Sequence, residues 1–188
     1  MKEAPARAPD IRVGSSPHGL EPVSGAARDT SATPAQWIAL AAIAVAALVA
    51  DQITKHVVTG SLALGDETKV VGPLTIHHVK NTGIAFGLFG GATAIVALLT
   101  SAAIVWMVVF FRRSGARHPL LPVAFGFLIG GSASNLIDRI RLGHVTDFLD
   151  LGFWPAFNLA DSFICVGVAL LVYSLFAAER TPPLRAVD

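Results

Sequence analysis

The stretch Ala156-Phe157-Asn158-Leu159-Ala160-Asp161-Ser162-Phe163-Ile164-Cys165-Val166-Gly167-Val168 decides how this chain is read. Apart from Asp161 and its polar neighbours it has the composition of a membrane-spanning helix. A carboxylate at the centre of such a helix costs about 3 kcal/mol or more to insert, so one without a purpose is not expected. A second acid, Asp147, lies just upstream in Val145-Thr146-Asp147-Phe148, after another apolar segment. Two acids near the same end of adjacent membrane helices imply a pair that shares a proton.

The rest of the chain agrees with a membrane setting. Of its 188 residues 53% are hydrophobic and only 14% are charged, which excludes an ordinary soluble domain. Basic residues are scattered rather than patched, so nucleic acid is not an expected partner. The single cysteine, Cys165, rules out an intramolecular disulfide and reads as a small buried packing residue. Residues 1–34 differ: they hold Pro5, Pro9, Pro17, Pro22 and Pro34, mixed charges and few large apolar side chains. Such a segment cannot bury enough surface to offset its ordering entropy, and it is expected to be a disordered cytoplasmic extension. A cleaved signal segment over 37–50 is disfavoured because the apolar pattern continues through Ile53, Val57 and Val58.

Four segments have the length and apolarity to cross the hydrocarbon core, at about 35–58, 91–111, 119–137 and 156–178. They form a membrane domain over 35–178, with a short tail at 179–188. The connection holding Arg112, Arg113 and Arg117 has no acid and is expected in the cytoplasm. Both termini then share that side, and Asp147 and Asp161 lie at the outer face. Asp161 would stand about 7 Å along its helix if the helix started at Ala156. The outer loop, about 59–90, includes Val70, Val71, Leu74 and Ile76 around Gly72-Pro73, the pattern of a strand, a turn and a strand. The expected fold is therefore an all-α membrane protein of four helices with a small extracytoplasmic β platform. His77 and His78 would point to opposite faces of a strand, and no Cys-x-x-Cys accompanies them, so no metal site is expected.

Polar residues recur in the third and fourth segments. Gly126, Gly130 and Ser134 repeat every four residues, a small-residue face that admits a close helix neighbour. Gly131, Asn135 and Arg139 form an adjacent ridge with Asp138 beside it. Asn135 and Arg139 either line the acid pocket or form a packing patch with an arginine reaching to the interface. Asn158 shares a face with Asp161, and Asp51 can pair with Lys55 one turn on, as a structural bridge or as part of the site. Asn81 and Gly83, in the run from Lys80 to Gly87, suit a tight turn that presents amide donors to a ligand. That run is too polar and glycine-rich for a strand core. Two carboxylates about 4 Å apart repel by on the order of 4 kcal/mol at an effective dielectric of 20, so one keeps a proton near neutrality. The ionised member can activate water while the protonated member polarises a carbonyl.

The motifs Asp51-Gln52-Ile53-Thr54-Lys55, Lys80-Asn81-Thr82-Gly83-Ile84-Ala85-Phe86-Gly87, Gly130-Gly131-Ser132-Ala133-Ser134-Asn135-Leu136-Ile137-Asp138-Arg139, Gly143-His144-Val145-Thr146-Asp147-Phe148 and Phe157-Asn158-Leu159-Ala160-Asp161-Ser162 occur in that order. Together they resemble those of bacterial lipoprotein signal peptidase, or signal peptidase II. The resemblance implies a multi-pass enzyme of the bacterial cytoplasmic (inner) membrane with an aspartic dyad, Asp147 and Asp161. It implies that Asn81, Asn135, Arg139 and Asn158 line the site, with Asp51, Lys55, Gly83, Gly131 and Asp138 in supporting roles. The substrate would be a diacylglyceryl-modified prolipoprotein, cut just before its lipidated cysteine, in contact with membrane lipids. No metal, organic cofactor or obligate protein partner is implied. The alternative is a small proton-coupled transporter in which Asp147 and Asp161 relay protons. Against it, the second segment offers only Thr93, Thr100 and Ser101 as polar groups.

Overall fold

A computed structural model describes residues 30–83, 93–115 and 118–179. Its order is α1 (Pro34–Ser61), β1 (Glu67–Val71), β2 (Leu74–Asn81), α2 (Thr93–Ser114), α3 (Leu121–Leu142), β3 (Val145–Asp150) and α4 (Leu159–Glu179). Each helix includes a segment long and apolar enough to cross a membrane. Exposed apolar side chains such as Ile38, Leu98, Trp106 and Phe176 clothe α1, α2 and α4, the outward surface expected of helices solvated by lipid.

The central helix is α3, the most buried of the four. Its small residues set how closely the others approach. A Cβ on Gly130 would land on the Ala44 carbonyl oxygen of α1, and one on Gly126 would stand 2.8 Å from Ile43. On the adjoining ridge a Cβ on Gly131 would lie 2.5 Å from the Ala160 oxygen of α4. The two ridges legible in the sequence thus face two different helices, α1 and α4. Towards the α2–α3 connection, Phe111, Phe125, Met107 and Leu40 form an apolar core, with Trp37 edge-on to Phe111 at 5.0 Å.

That end of α1 is also stapled to α2. Thr33 caps α1 reciprocally with Gln36. Ala32 N–H donates to the Arg112 carbonyl, Thr30 Oγ1 to that of Arg113, and Gln36 Nε2 to that of Gly115. These donors satisfy carbonyls that the end of α2 leaves open.

The strands form one antiparallel sheet in the order β1-β2-β3. The hairpin between β1 and β2 turns at Gly72-Pro73, where Gly72 has φ 55°. His78 Nδ1–H donates to the Leu62 carbonyl and so ties β2 to the end of α1. His77 pairs instead with Asp150 of β3 at 2.9 Å, so the two histidines serve separate contacts. The hydrogen bond from His77 holds the Asp150 carboxyl below its ordinary pKa.

Four local expectations change. Gly143, at φ 75°, ends α3 later than 137, so Asp138, Arg139 and Arg141 are helical. After that turn the chain enters β3, so Asp147 stands on a strand rather than at a helix end. β2 runs on through Lys80 and Asn81, because pairing with Thr146 and Val145 supplies their backbone partners. Finally, α4 begins at Leu159 and not at 156. Residues 1–29 and 180–188 lie outside the described residues, as do 84–92 and therefore most of the run from Lys80 to Gly87.

Candidate active site

The late start of α4 explains how the chain tolerates Asp161. Asn158 precedes the helix and Asp161 is in its first turn. The Asp161 N–H donates to Asn158 Oδ1 at 3.0 Å, and the Asn158 N–H donates to Asp161 Oδ2 at 3.1 Å. This is a reciprocal cap with an acid at the positive end of the helix dipole, where a negative charge is stabilised. The carboxylate therefore avoids much of the cost it would meet in mid-span.

β3 supplies the second acid. Val79 of β2 is opposite Asp147, so Asn81, two residues on, shares its face of the sheet. Asn81 Nδ2 donates to Asp147 Oδ2 at 2.9 Å, while the Gly83 N–H donates to Asn81 Oδ1 and holds the amide in place. Asn158 Nδ2 donates to Asp147 Oδ1 at 2.7 Å. Asn158 is fully buried and thus grips both acids, Asp147 by its side chain and Asp161 by its cap. From α3, Asn135 Nδ2 donates to Asp161 Oδ1 at 2.9 Å, and Asn135 Oδ1 accepts from Asn158 Nδ2 at 3.1 Å.

Burial, opposed by the Asn81 hydrogen bond and reinforced by the negative charge of Asp161, pushes the Asp147 carboxyl up to about 6. Each Asp147 oxygen accepts one amide donor and keeps a further lone pair. A proton on Asp147 has a place to reside.

Both acids border a cavity of about 580 Å³ between β2, the 151–157 loop, α3 and α4. Asn81, Gly83, Trp154 and Arg139 line it as well. The Arg139 guanidinium donates to the Asn135 carbonyl at 3.3 Å, which holds it beside the two carboxylates. Cys165 is exposed and borders this cavity, contrary to its expected burial, because α4 presents this side to the cavity and not to a neighbouring helix. On the other face of β3 a separate groove of about 440 Å³ is almost wholly apolar, with Phe148 at its floor.

Beneath the acids, Lys55 bridges Asp51 at 2.7 Å and Asp138 at 2.8 Å. The pairing of Asp51 with Lys55 was legible one turn apart; the inclusion of Asp138 was not. Gln52 had no expected role, and Ser134 was expected only as part of the small-residue face. Gln52 Nε2 donates to Asp138 Oδ1 and Ser134 Oγ donates to Asp51 Oδ2. Their membership of the polar motifs in α1 and α3 is the sequence signal that could have found them.

Two carboxylates thus meet at the rim of one cavity. A family model described as signal peptidase (SPase) II matches residues 43–177, well over half of the chain. The chain belongs to the signal peptidase II family. It is 39% identical over 144 residues to the lipoprotein signal peptidase of Symbiobacterium thermophilum, covering 73% of this chain and 94% of that one. It is 41% identical over 134 residues to the lipoprotein signal peptidase of Dehalococcoides mccartyi, covering 67% and 82%. Among solved structures it is similar to a bacterial membrane enzyme crystallised in meso, with TM-score 0.74 and 28% identity over 85% of this chain and 99% of that one. Membership makes the chain a multi-pass membrane peptidase acting on lipoprotein precursors; the transporter alternative finds no support.

Proposed function

We propose that Asp147 and Asp161 are an aspartic catalytic dyad that cuts diacylglyceryl-modified prolipoproteins just before the lipidated cysteine. The observation that carries this reading is the double grip of Asn158, which brings two carboxylates from a strand and a helix to the rim of one cavity. With its carboxyl pushed up to about 6, Asp147 exchanges its proton near neutral pH. In the dyad one acid is ionised and takes a proton from water as that water attacks the scissile carbonyl. The other is protonated and hydrogen-bonds the carbonyl oxygen; the acid that took the proton from water then passes it to the departing amine as the C–N bond breaks. Arg139 and Asn81 flank the acids and hold the peptide.

The dyad operates at the outer face, with both termini cytoplasmic. Arg112 and Arg113 at the end of α2 support that orientation. Exposed Phe153 and Trp154 next to the cavity, and Val70 and Val71 on β1, suit a platform resting on the membrane interface. A substrate diacylglyceryl group then stays in lipid while its peptide reaches the acids.

The test is incubation of purified protein with a precursor before and after diacylglyceryl transfer, with products read by mass spectrometry. Cleavage only of the lipidated form, just before the modified cysteine, is expected. Cutting at another bond, or equal cutting of the unlipidated form, contradicts the reading. In intact cells a cysteine placed at Asp66 should react with an impermeant thiol reagent; labelling at Ser114 instead would invert the orientation.

A further inference from the structure

Lys55 is 4% exposed on α1, deep beneath the two acids. An ammonium has three donors and no acceptor. Lys55 Nζ directs them at Asp51 Oδ2 (2.7 Å), Asp138 Oδ2 (2.8 Å) and Asn135 Oδ1 (2.8 Å). The two carboxylates already have other donors: Ser134 Oγ and the Ala160 N–H on Asp51, Gln52 Nε2 on Asp138. The third contact, to a neutral amide, is not needed to neutralise charge.

That contact has consequences at the acids. With its oxygen turned to the ammonium, Asn135 must present Nδ2 to Asp161 Oδ1. The same oxygen accepts Asn158 Nδ2, which leaves Asn158 Oδ1 for the Asp161 N–H and Nδ2 for Asp147 Oδ1. Reversing the Asn135 amide would set its NH2 against the ammonium and its oxygen against a carboxylate. Reversing Asn158 would set its oxygen against Asp147 and its NH2 against the Asp161 N–H. The network therefore has one polarity, running from a donor-only cation to two acceptor-only carboxylates.

We propose that Lys55 is a positioning residue for the peptidase reaction: its ammonium sets the direction of the Asn135 and Asn158 amides and thereby the presentation of Asp147 and Asp161. This inference rests on the dyad reading above. The charge of Lys55 adds a second effect: against burial and the charge of Asp161, and alongside the Asn81 bond, it draws the Asp147 pKa down. The other charged groups around the network are Asp51 on α1, Asp138 and Arg139 on α3, and Asp161 on α4.

The competing explanation is that Lys55 only balances buried acids for folding. Asp51→Asn/Lys55→Met separates the two, because the pair removed is oppositely charged and the net charge of the cluster is kept. Purified Asp51→Asn, Asp51→Asn/Lys55→Met and Asp51→Asn/Lys55→Gln are compared for Tm, kcat per folded molecule, KM and pH profile. Relative to Asp51→Asn, the methionine variant should lose about tenfold or more in kcat with KM within about twofold, and its acidic limb should move to higher pH. The glutamine variant, whose amide N–H can still donate to Asn135, should fall between them. Equal kcat per folded molecule in all three overturns the inference. If the methionine variant does not accumulate, the glutamine variant decides alone: a kcat about threefold or more below Asp51→Asn supports the inference and equality overturns it. Asp161→Asn, assayed alongside, distinguishes the two failures. Turnover by folded Asp161→Asn removes the dyad reading itself; an inactive Asp161→Asn with three equal Lys55 series members removes only this inference.

Discussion

Replacing Asp147 by asparagine should abolish turnover and at the same time make the fold more stable at alkaline pH. Asp147 is 2% exposed, and its carboxyl is pushed from 3.8 up to about 6, chiefly by burial. The folded state therefore binds this proton more tightly than the unfolded chain does. Stability falls as pH rises from about 4 to about 6, and above that window the ionised carboxylate costs about 3 kcal/mol at 1.36 kcal/mol per pKa unit. Asn cannot ionise, so it escapes this cost. It offers an NH2 where Asp147 offered an oxygen, however, and one of the donors from Asn81 and Asn158 is left facing another donor. That loss is about 1–2 kcal/mol. The net expectation is a gain of about 1–2 kcal/mol for Asp147→Asn at pH 8 and a loss of similar size at pH 4, where Asp147 itself is largely protonated. Unfolding of both proteins in detergent micelles at the two pH values measures it. A variant whose stability relative to wild type is the same at pH 8 and pH 4 would refute the argument that burial sets the behaviour of this carboxyl.

Two further substitutions probe the surroundings. Arg139→Ala should reduce kcat/KM by about tenfold or more with Tm nearly unchanged, because the guanidinium borders the cavity and, among the described residues, makes one 3.3 Å bond, to the Asn135 carbonyl; Arg139→Lys should not restore it, since lysine lacks the planar fork. Normal activity per folded molecule would reduce Arg139 to a packing role. Gly131→Ala puts a Cβ 2.5 Å from the Ala160 oxygen, so it should cost about 1–3 kcal/mol and move α4 with its Asp161, lowering kcat in the fraction that remains folded. A fully stable, fully active Gly131→Ala protein would contradict the close approach of α3 and α4.

Several of these features are legible in the sequence because they break a local pattern. Asp161 is an acid in an apolar run, and Gly126, Gly130 and Ser134 recur at helical spacing beside Gly131, Asn135 and Arg139, so the dyad candidate and the helix faces can be read directly. Asp147 is harder. Val145–Asp150 is too short to show a clear alternation, and most of it is buried, so nothing local marks it as a strand. The capping of Asp161 by Asn158 was hidden by the apolar residues from Ala156, which extend the apparent helix backwards. Contacts between distant elements, such as Lys55 to Asn135 and Asp138, have no local signature because packing of α1 on α3 creates them. The exposure of Cys165 likewise depends on how α4 is rotated, which apolarity on every side of that helix does not specify.

The central claim is that Asp147 and Asp161 act as one unit in peptide hydrolysis. Its most direct measurement is kcat on a lipidated precursor for Asp147→Asn, Asp161→Asn and the double substitution, each normalised to folded protein. Each single change should abolish turnover, and the double variant should be scarcely worse than either, because removal of one acid already disables the shared chemistry. Substantial cleavage by folded Asp161→Asn, or losses that multiply from one variant to the next, would contradict it.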